Sequence, residues 1–101
     1  MTHTRQLRRY DIAPGAMDAF VEWFRGPLMR ARAAHGFTAE SAYVDALENT
    51  ITWVARFEGT EAEFLATERT YEDSPERARA FESYPGSIRA KYAAIVQPIE
   101  V

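Results

Sequence analysis

Two residues of this 101-residue chain, His35 and Glu68, combine a side chain suited to proton transfer with a predicted inward position. Histidine exchanges protons near neutral pH, which suits a general acid or base. On a helical wheel of about 100° per residue, His35 falls with Phe24 and Leu28, so it would face a sheet beneath the helix. Glu68 lies on the predicted inner side of a second helix with Tyr71, and aromatic surroundings make a carboxylate more basic. Both residues are therefore candidate catalytic groups.

Each of the two candidates also has a structural interpretation. Gly36 is where a left-handed helix terminus would fall, with Phe37 folding back over the last turn. His35 would then be one of several cations, with Arg30 and Arg32, placed favourably near a helix C-terminus. Glu68 could be the partner of an inward-facing arginine, or could reach water.

Three residues on strands predicted to be central could bind a ligand: Arg8, Tyr10 and Arg56. A charge on a central strand needs either a partner or a water-filled cavity. Arg8 or Arg56 could hold a substrate carboxylate or enolate. Each could equally pair with Glu58, with Asp11, or with a residue of a second subunit.

Three aromatic residues, Tyr43, Trp53 and Tyr71, are candidate platforms for a ligand. Aromatic side chains at such positions also belong in a core or in a subunit interface. Both interpretations stay open at the level of the sequence.

Composition excludes several classes of function. The chain has no cysteine, so thiolate chemistry and thiolate metal sites are ruled out, and a cytoplasmic location is expected. The histidines, His3 and His35, lack the spacing of metal ligands, and no metal site is expected. A net charge of −3 with dispersed basic residues disfavours nucleic acid and anionic membrane as partners. No segment resembles a signal peptide or a membrane span.

The hydrophobic pattern predicts one domain over residues 1–101, of the α+β class. The order is β-α-β-β-α-β with the second helical segment split, which is the ferredoxin-like arrangement. In it, the first and third strands are central, and Pro98 places the last strand at an edge. The predicted strands are 4–12, 37–46, 50–58 and 93–101, and the predicted helices are 14–35, 60–72 and 75–84.

The first helix is interrupted by Gly26-Pro27. Pro27 cannot donate a hydrogen bond to the carbonyl of Trp23, and its ring clashes there, so the helix must bend or break. The bend could simply wrap a long helix over a twisted sheet. It could also lift half of the helix and leave a pocket beneath it.

Both faces of the third strand carry apolar residues. Ile51, Trp53 and Phe57 alternate with a second set that still includes Val54. A sheet covered by helices on one face and by water on the other alternates more cleanly. A second copy of the chain is the simplest cover for the other face.

The chain resembles small bacterial NIPSNAP-type proteins of the dimeric α/β-barrel superfamily. The residues that carry the resemblance are Leu7-Arg8-Arg9-Tyr10, Pro14-Gly15, Phe20, Trp23, His35-Gly36-Phe37, Asn49-Thr50, Trp53-Val54 and Asp73-Ser74-Pro75-Glu76. The sequence departs from the family pattern at Arg5, at Arg77, and at Ser74, which separates an Asp-Pro pair. The resemblance implies a ferredoxin-like subunit, a sheet-to-sheet homodimer, and a small-molecule pocket between each sheet and its helices.

The superfamily includes cofactor-free monooxygenases, cyclases, isomerases and haem enzymes. Residues 60–101 contain no histidine to ligate haem, so no cofactor is expected. The resemblance implies a homodimer that binds a small apolar, aromatic or ketide-like ligand. It would be a cofactor-independent enzyme of the cyclase, isomerase, decarboxylase or monooxygenase type, or a binding and accessory dimer without chemistry.

Overall fold

The chain folds into a four-stranded antiparallel sheet with its helices on one face. The computed structural model describes residues 2–101. The strands are β1 (His3–Ile12), β2 (Phe37–Asp45), β3 (Thr50–Glu58) and β4 (Ile88–Val96). The helices are α1 (Met17–Trp23), α2 (Met29–Ala33), α3 (Glu61–Glu72) and α4 (Pro75–Phe81), with a π-helical turn (Phe24–Leu28) between α1 and α2.

The strand order is β2-β3-β1-β4, so β1 and β3 are central and β4 is an edge. This confirms the predicted α+β, ferredoxin-like fold. Paired residues of neighbouring strands lie on the same face of a sheet. Arg8 pairs with Trp53 and Tyr10 pairs with Ile51, and all four side chains lie on the face that the helices cover.

The ends of the second helical segment agree with the sequence. The Thr60 hydroxyl accepts a hydrogen bond from the Glu63 backbone N–H, and the Glu63 carboxylate accepts one from the Thr60 N–H, which is a capping box. Ser74 caps α4, with Pro75 in its first turn. This short break splits the segment into α3 and α4, as predicted.

The helix predicted over 14–35 begins later, at Met17, and its expected bend or break at Pro27 takes the form of a π-helical turn. The turn from Phe24 to Leu28 is π-helical, and the Met29 N–H donates to the Phe24 carbonyl five residues earlier. A π-helical turn accommodates one extra residue within a helix. Gly26 and Pro27 lie within this wider turn, so the helix continues past the proline.

The predicted last strand, 93–101, is also displaced. β4 covers Ile88–Val96, so it begins and ends five residues earlier than predicted. Pro98 lies beyond the strand and therefore does not explain its edge position. The edge follows from topology, because β4 pairs only with β1.

The core lies between the sheet and the helices in two clusters. One is built around Phe20, Phe24 and Trp53, and the other around Phe37 and Phe64. Leu65 lies on the solvent-facing side of α3 and is 38% exposed.

The outer face of the sheet has no helix over it among residues 2–101. Leu7, Val54 and Ala94 form a row across its three adjacent strands. Tyr43 and Tyr92 extend this apolar surface and are 71% and 51% exposed in the single chain. The mixed pattern of β3 thus reflects a row of apolar side chains on an outer face that also carries charged residues such as Arg9 and Arg56.

Candidate functional site

A cavity of two adjoining parts lies between the sheet and the helices. The first, which we call the apolar chamber, has a volume of about 260 Å³ and includes Trp23, Leu28, Phe81, Tyr84 and Ile88 in its walls. The second, the polar chamber, has a volume of about 290 Å³ and includes Gln6, Glu68 and Glu72. The two chambers share the lining residues Arg8, Arg32, Tyr71, Arg77 and Lys91.

Arg8 is fixed in the cavity by its neighbours. Its Nε donates to the Tyr10 hydroxyl at 2.8 Å, and its Nη1 donates to Gln6 Oε1 at 2.6 Å. The same nitrogen lies 3.3 Å from Glu68 Oε2. The two-residue period of β1 places Gln6, Arg8 and Tyr10 on one face, so the strand builds most of this network itself. Arg8 is therefore a held cation, with its charge balanced by Glu68.

Arg32 has a different environment. The residue is 5% exposed, and its guanidinium carbon lies 4.8 Å from the Tyr71 ring centroid and 5.0 Å from that of Trp53. Its Nε and Nη1 are buried and have no hydrogen-bond partner. Burial, and then the charge of Arg8, lower the pKa of Arg32 from its ordinary value. Contacts with ring faces offset part of the desolvation cost, and the N–H groups remain unsatisfied.

Tyr71 is the second buried polar group beside the cavity without a partner. The residue is 2% exposed and its hydroxyl makes no hydrogen bond. Burial raises the pKa of Tyr71, so the phenol stays protonated and keeps a donor and an acceptor free.

The structure brings together four of the residues predicted for the site. Arg8, Tyr10, Glu68 and Tyr71 all line the cavity. Glu68 contacts Arg8, in agreement with its structural interpretation as the partner of an inward-facing arginine, and its side chain is 17% exposed.

The other predicted ligand-binding residues lie elsewhere. Trp53 is fully buried behind Arg32, within the core. Tyr43 and Arg56 lie on the outer face of the sheet, where Arg56 Nη2 is 3.1 Å from His3 Nε2. Neither can reach the cavity from that face.

His35 lies outside the cavity lining and at the end of a helix. Its Nε2 is 2.8 Å from Glu76 Oε1, and its ring meets the edge of Tyr71 at 5.7 Å. Gly36 has φ of +86°, the left-handed terminus expected there. His35 thus joins the end of α2 to the first turn of α4, and its side chain is only 16% exposed.

Sequence reasoning missed Arg32, Arg77 and Lys91. The sequence predicts Arg32 only as a cation near a helix end, and Arg77 differs from the family pattern without an assigned role. Lys91 precedes the predicted last strand, 93–101, and lies within β4. The signal for Arg32 was Gly26-Pro27, because an extra residue in the turn moves every later side chain around the helix.

Pro27 does not lie over the sheet cavity. It lines a separate cleft of about 270 Å³ with Arg30, Glu76, Arg79 and Ser83, between the π-helical turn and α4. Leu28, the next residue, faces the apolar chamber instead.

Groups that could hold a metal ion do not occur within residues 2–101, where no three His, Asp or Glu side chains come together. In the same residues, no helix is long and apolar enough to cross a membrane.

Solved structures share this fold along nearly the whole chain. A NIPSNAP domain protein from Burkholderia xenovorans has a TM-score of 0.80 at 9% identity, covering 95% of this chain and 94% of its own. A NIPSNAP family protein of unknown function from Agrobacterium tumefaciens has a TM-score of 0.81 at 13% identity, covering 95% and 87%. No family model and no curated protein matches the sequence.

The chain has the NIPSNAP fold. These structures confirm, as a likeness of fold, the resemblance seen in the sequence. A candidate antibiotic biosynthesis monooxygenase from Bacteroides thetaiotaomicron is also similar, with a TM-score of 0.71 at 12% identity and coverage of 98% and 91%. The fold of this chain is therefore similar to structures of both descriptions.

The two cavity arginines should respond differently to the same substitution. Arg8→Met leaves Glu68 without its ion pair, and we expect it to lower the free energy of unfolding by about 1–3 kcal/mol. Arg32→Met breaks no ion pair and removes a buried charge, so we expect a change of less than about 1 kcal/mol in either direction. Urea unfolding followed by tryptophan fluorescence measures both. A loss at Arg32 as large as that at Arg8 would show that Arg32 is chiefly a structural residue.

The His35–Glu76 contact should depend on pH. The hydrogen bond from His35 lowers the pKa of the Glu76 carboxyl below its ordinary value of 4.5. A lowered carboxyl pKa stabilises the fold fully above about pH 4.5, and this contribution is lost as the pH falls through the lowered value. We expect Glu76→Gln to destabilise the protein at about pH 5.5 and the deficit to shrink toward about pH 3. Thermal unfolding checks this, with the exposed Glu82→Gln as the control, and a deficit independent of pH would contradict it.

Proposed function

We propose that this protein is a homodimer that binds a small, largely apolar aromatic or ketide-like molecule in the cavity between its sheet and helices. One observation carries the proposal: an aromatic-walled cavity with buried polar groups that have no partner. Trp23, Phe81 and Tyr84 supply a surface for a ring, while Arg32 and Tyr71 keep unused hydrogen-bonding capacity. Ligand sites typically combine apolar walls with a few such polar groups.

The outer face of the sheet supports the dimer. Its central strands present Leu7 and Val54, and exposed aromatic residues lie at Tyr43 and Tyr92. An apolar face of this kind is commonly covered by a second sheet. A cytoplasmic location, expected from the absence of cysteine, stays a prediction.

A charge placed in the outer face should separate the dimer. We expect the wild type to sediment at twice the 11.5 kDa of one chain, and Leu7→Glu to sediment as a monomer, because the carboxylate would be buried between two sheets. Leu65→Glu makes the same substitution on a solvent-facing position of α3 and should leave the dimer intact. A wild-type protein that stays monomeric at micromolar concentration would overturn the sheet-to-sheet dimer.

Cofactor-independent proton transfer is the second candidate function, favoured by the Glu68 carboxylate in the wall of the polar chamber. Arg8, which lies 3.3 Å away, could stabilise an enolate formed there. His35 is held by Glu76 outside the lining, so the geometry favours Glu68 over His35 as the base. The Glu68–Arg8 pair equally serves a protein that only binds.

Binding can be mapped by NMR with a set of small aromatic acids, aromatic amides and ketides. We expect chemical-shift changes at Trp23, Tyr84 and Ile88, the walls of the apolar chamber. Ile88→Trp should fill the chamber and abolish them, whereas Leu65→Trp, on the surface, should not. Shifts confined to the Pro27 cleft, or absent for every compound, would contradict the proposed site.

The same compounds separate binding from chemistry. Proton transfer at Glu68 predicts deuterium incorporation from heavy water at the carbon beside a carbonyl, lost in Glu68→Gln and retained in His35→Gln. Binding without incorporation assigns the protein to the non-catalytic class.

A further inference from the structure

The charges around the cavity are unbalanced. Arg8 is paired with Glu68, whereas Arg32, Arg77 and Lys91 form no ion pair within residues 2–101. The only other carboxylate of the lining belongs to Glu72, which is exposed. This excess of positive charge occurs in a chain whose net charge is −3, so it is a local feature of the site.

The cations without carboxylate partners line the same part of the cavity. Arg32, Arg77 and Lys91 each line both chambers and therefore stand where the two join. They come from α2, α4 and β4, which are separate elements of the fold. Arg32 is buried, Arg77 is half-buried and Lys91 is exposed. Like charges that line one cavity repel one another, and an anion bound between them would offset this repulsion.

Arg32 is the group of this cluster that most requires a partner. Only 5% of the surface of Arg32 is exposed, and its Nε and Nη1 make no hydrogen bond. The neighbouring rings flank the guanidinium and provide no hydrogen-bond acceptor for these two nitrogens. A guanidinium edge matches a planar carboxylate with two parallel hydrogen bonds.

The apolar chamber determines the rest of the ligand. Its walls are aromatic at Trp23, Phe81 and Tyr84, and its volume of about 260 Å³ is enough for a fused aromatic ring system. An anion alone would leave this chamber empty, and a neutral hydrocarbon would leave the cations unpaired.

We propose that the ligand of this site is a small aromatic acid, whose carboxylate is bound by Arg32 with Arg77 and Lys91 and whose ring occupies the apolar chamber. This inference rests on the proposed function and adds the charge of the ligand and the residues that recognise it. Arg8 stays with Glu68 and belongs to the wall rather than to the carboxylate site.

A pair of probes that differ only in charge tests the assignment. 1-Naphthoate and 1-naphthamide have nearly the same shape, and Trp23 fluorescence or calorimetry reports their binding. We expect naphthoate to bind about tenfold tighter or more, the usual advantage of hydrogen bonds to a charged group. Arg32→Met should abolish this preference while changing naphthamide affinity by less than about twofold, because the apolar walls are untouched.

Controls separate a local site from overall charge. Arg25→Met removes an exposed arginine outside the cavity and should keep the full preference for naphthoate. If Arg32→Met fails to fold, Arg77→Met and Lys91→Met replace it in the test. Each should reduce the preference for naphthoate over naphthamide several-fold.

The outcomes distinguish this inference from the proposed function. Equal binding of the two probes in the apolar chamber overturns the acid ligand and leaves the small-molecule site in place. A preference that survives substitution of Arg32, Arg77 and Lys91 overturns the assignment of these residues. Failure of both probes to bind overturns the site itself.

Discussion

The π-helical turn between α1 and α2 is the constraint on which the site depends. It holds one residue more than an α-helical turn, so every side chain after Leu28 is rotated by about 100° relative to an uninterrupted helix. In an uninterrupted α-helix, Arg32 would lie about 80° around the helix axis from Phe24. With the extra residue in the π-helical turn, Arg32 lies within about 20° of Phe24 and so on the same side of the helix. The turn therefore directs Arg32 toward the sheet, between Trp53 and Tyr71.

The same rotation explains the position of His35. In an uninterrupted α-helix, His35 would lie about 20° around the helix axis from Phe24 and would face the sheet. With the extra residue, His35 lies about 80° from Phe24 in the opposite direction of rotation. There it meets Glu76 of α4 and the edge of Tyr71. One local deviation thus keeps His35 out of the cavity lining and brings the buried Arg32 into it.

The two arginines of the cavity illustrate two ways of keeping a charge inside a small protein. Arg8 is surrounded by acceptors, with Gln6 and Tyr10 on its own strand and Glu68 from α3. Arg32 has ring faces but no acceptor for two of its nitrogens. A site poised for a ligand keeps such unsatisfied groups at some cost in stability, whereas a structural charge is satisfied within the fold.

Local periodicity and local hydrogen bonds specify the element order, the central strands and the helix caps at Thr60 and Ser74, so these features could be predicted from the sequence. The same periodicity puts Arg8 and Tyr10 on one central strand, where the period of two gives them a common face. Two features could not be predicted in this way: the orientation of the helix after Pro27 and the extent of β4. Both depend on packing against distant elements, and so does the presence of Arg32, Arg77 and Lys91, from three separate segments, in the lining of one cavity.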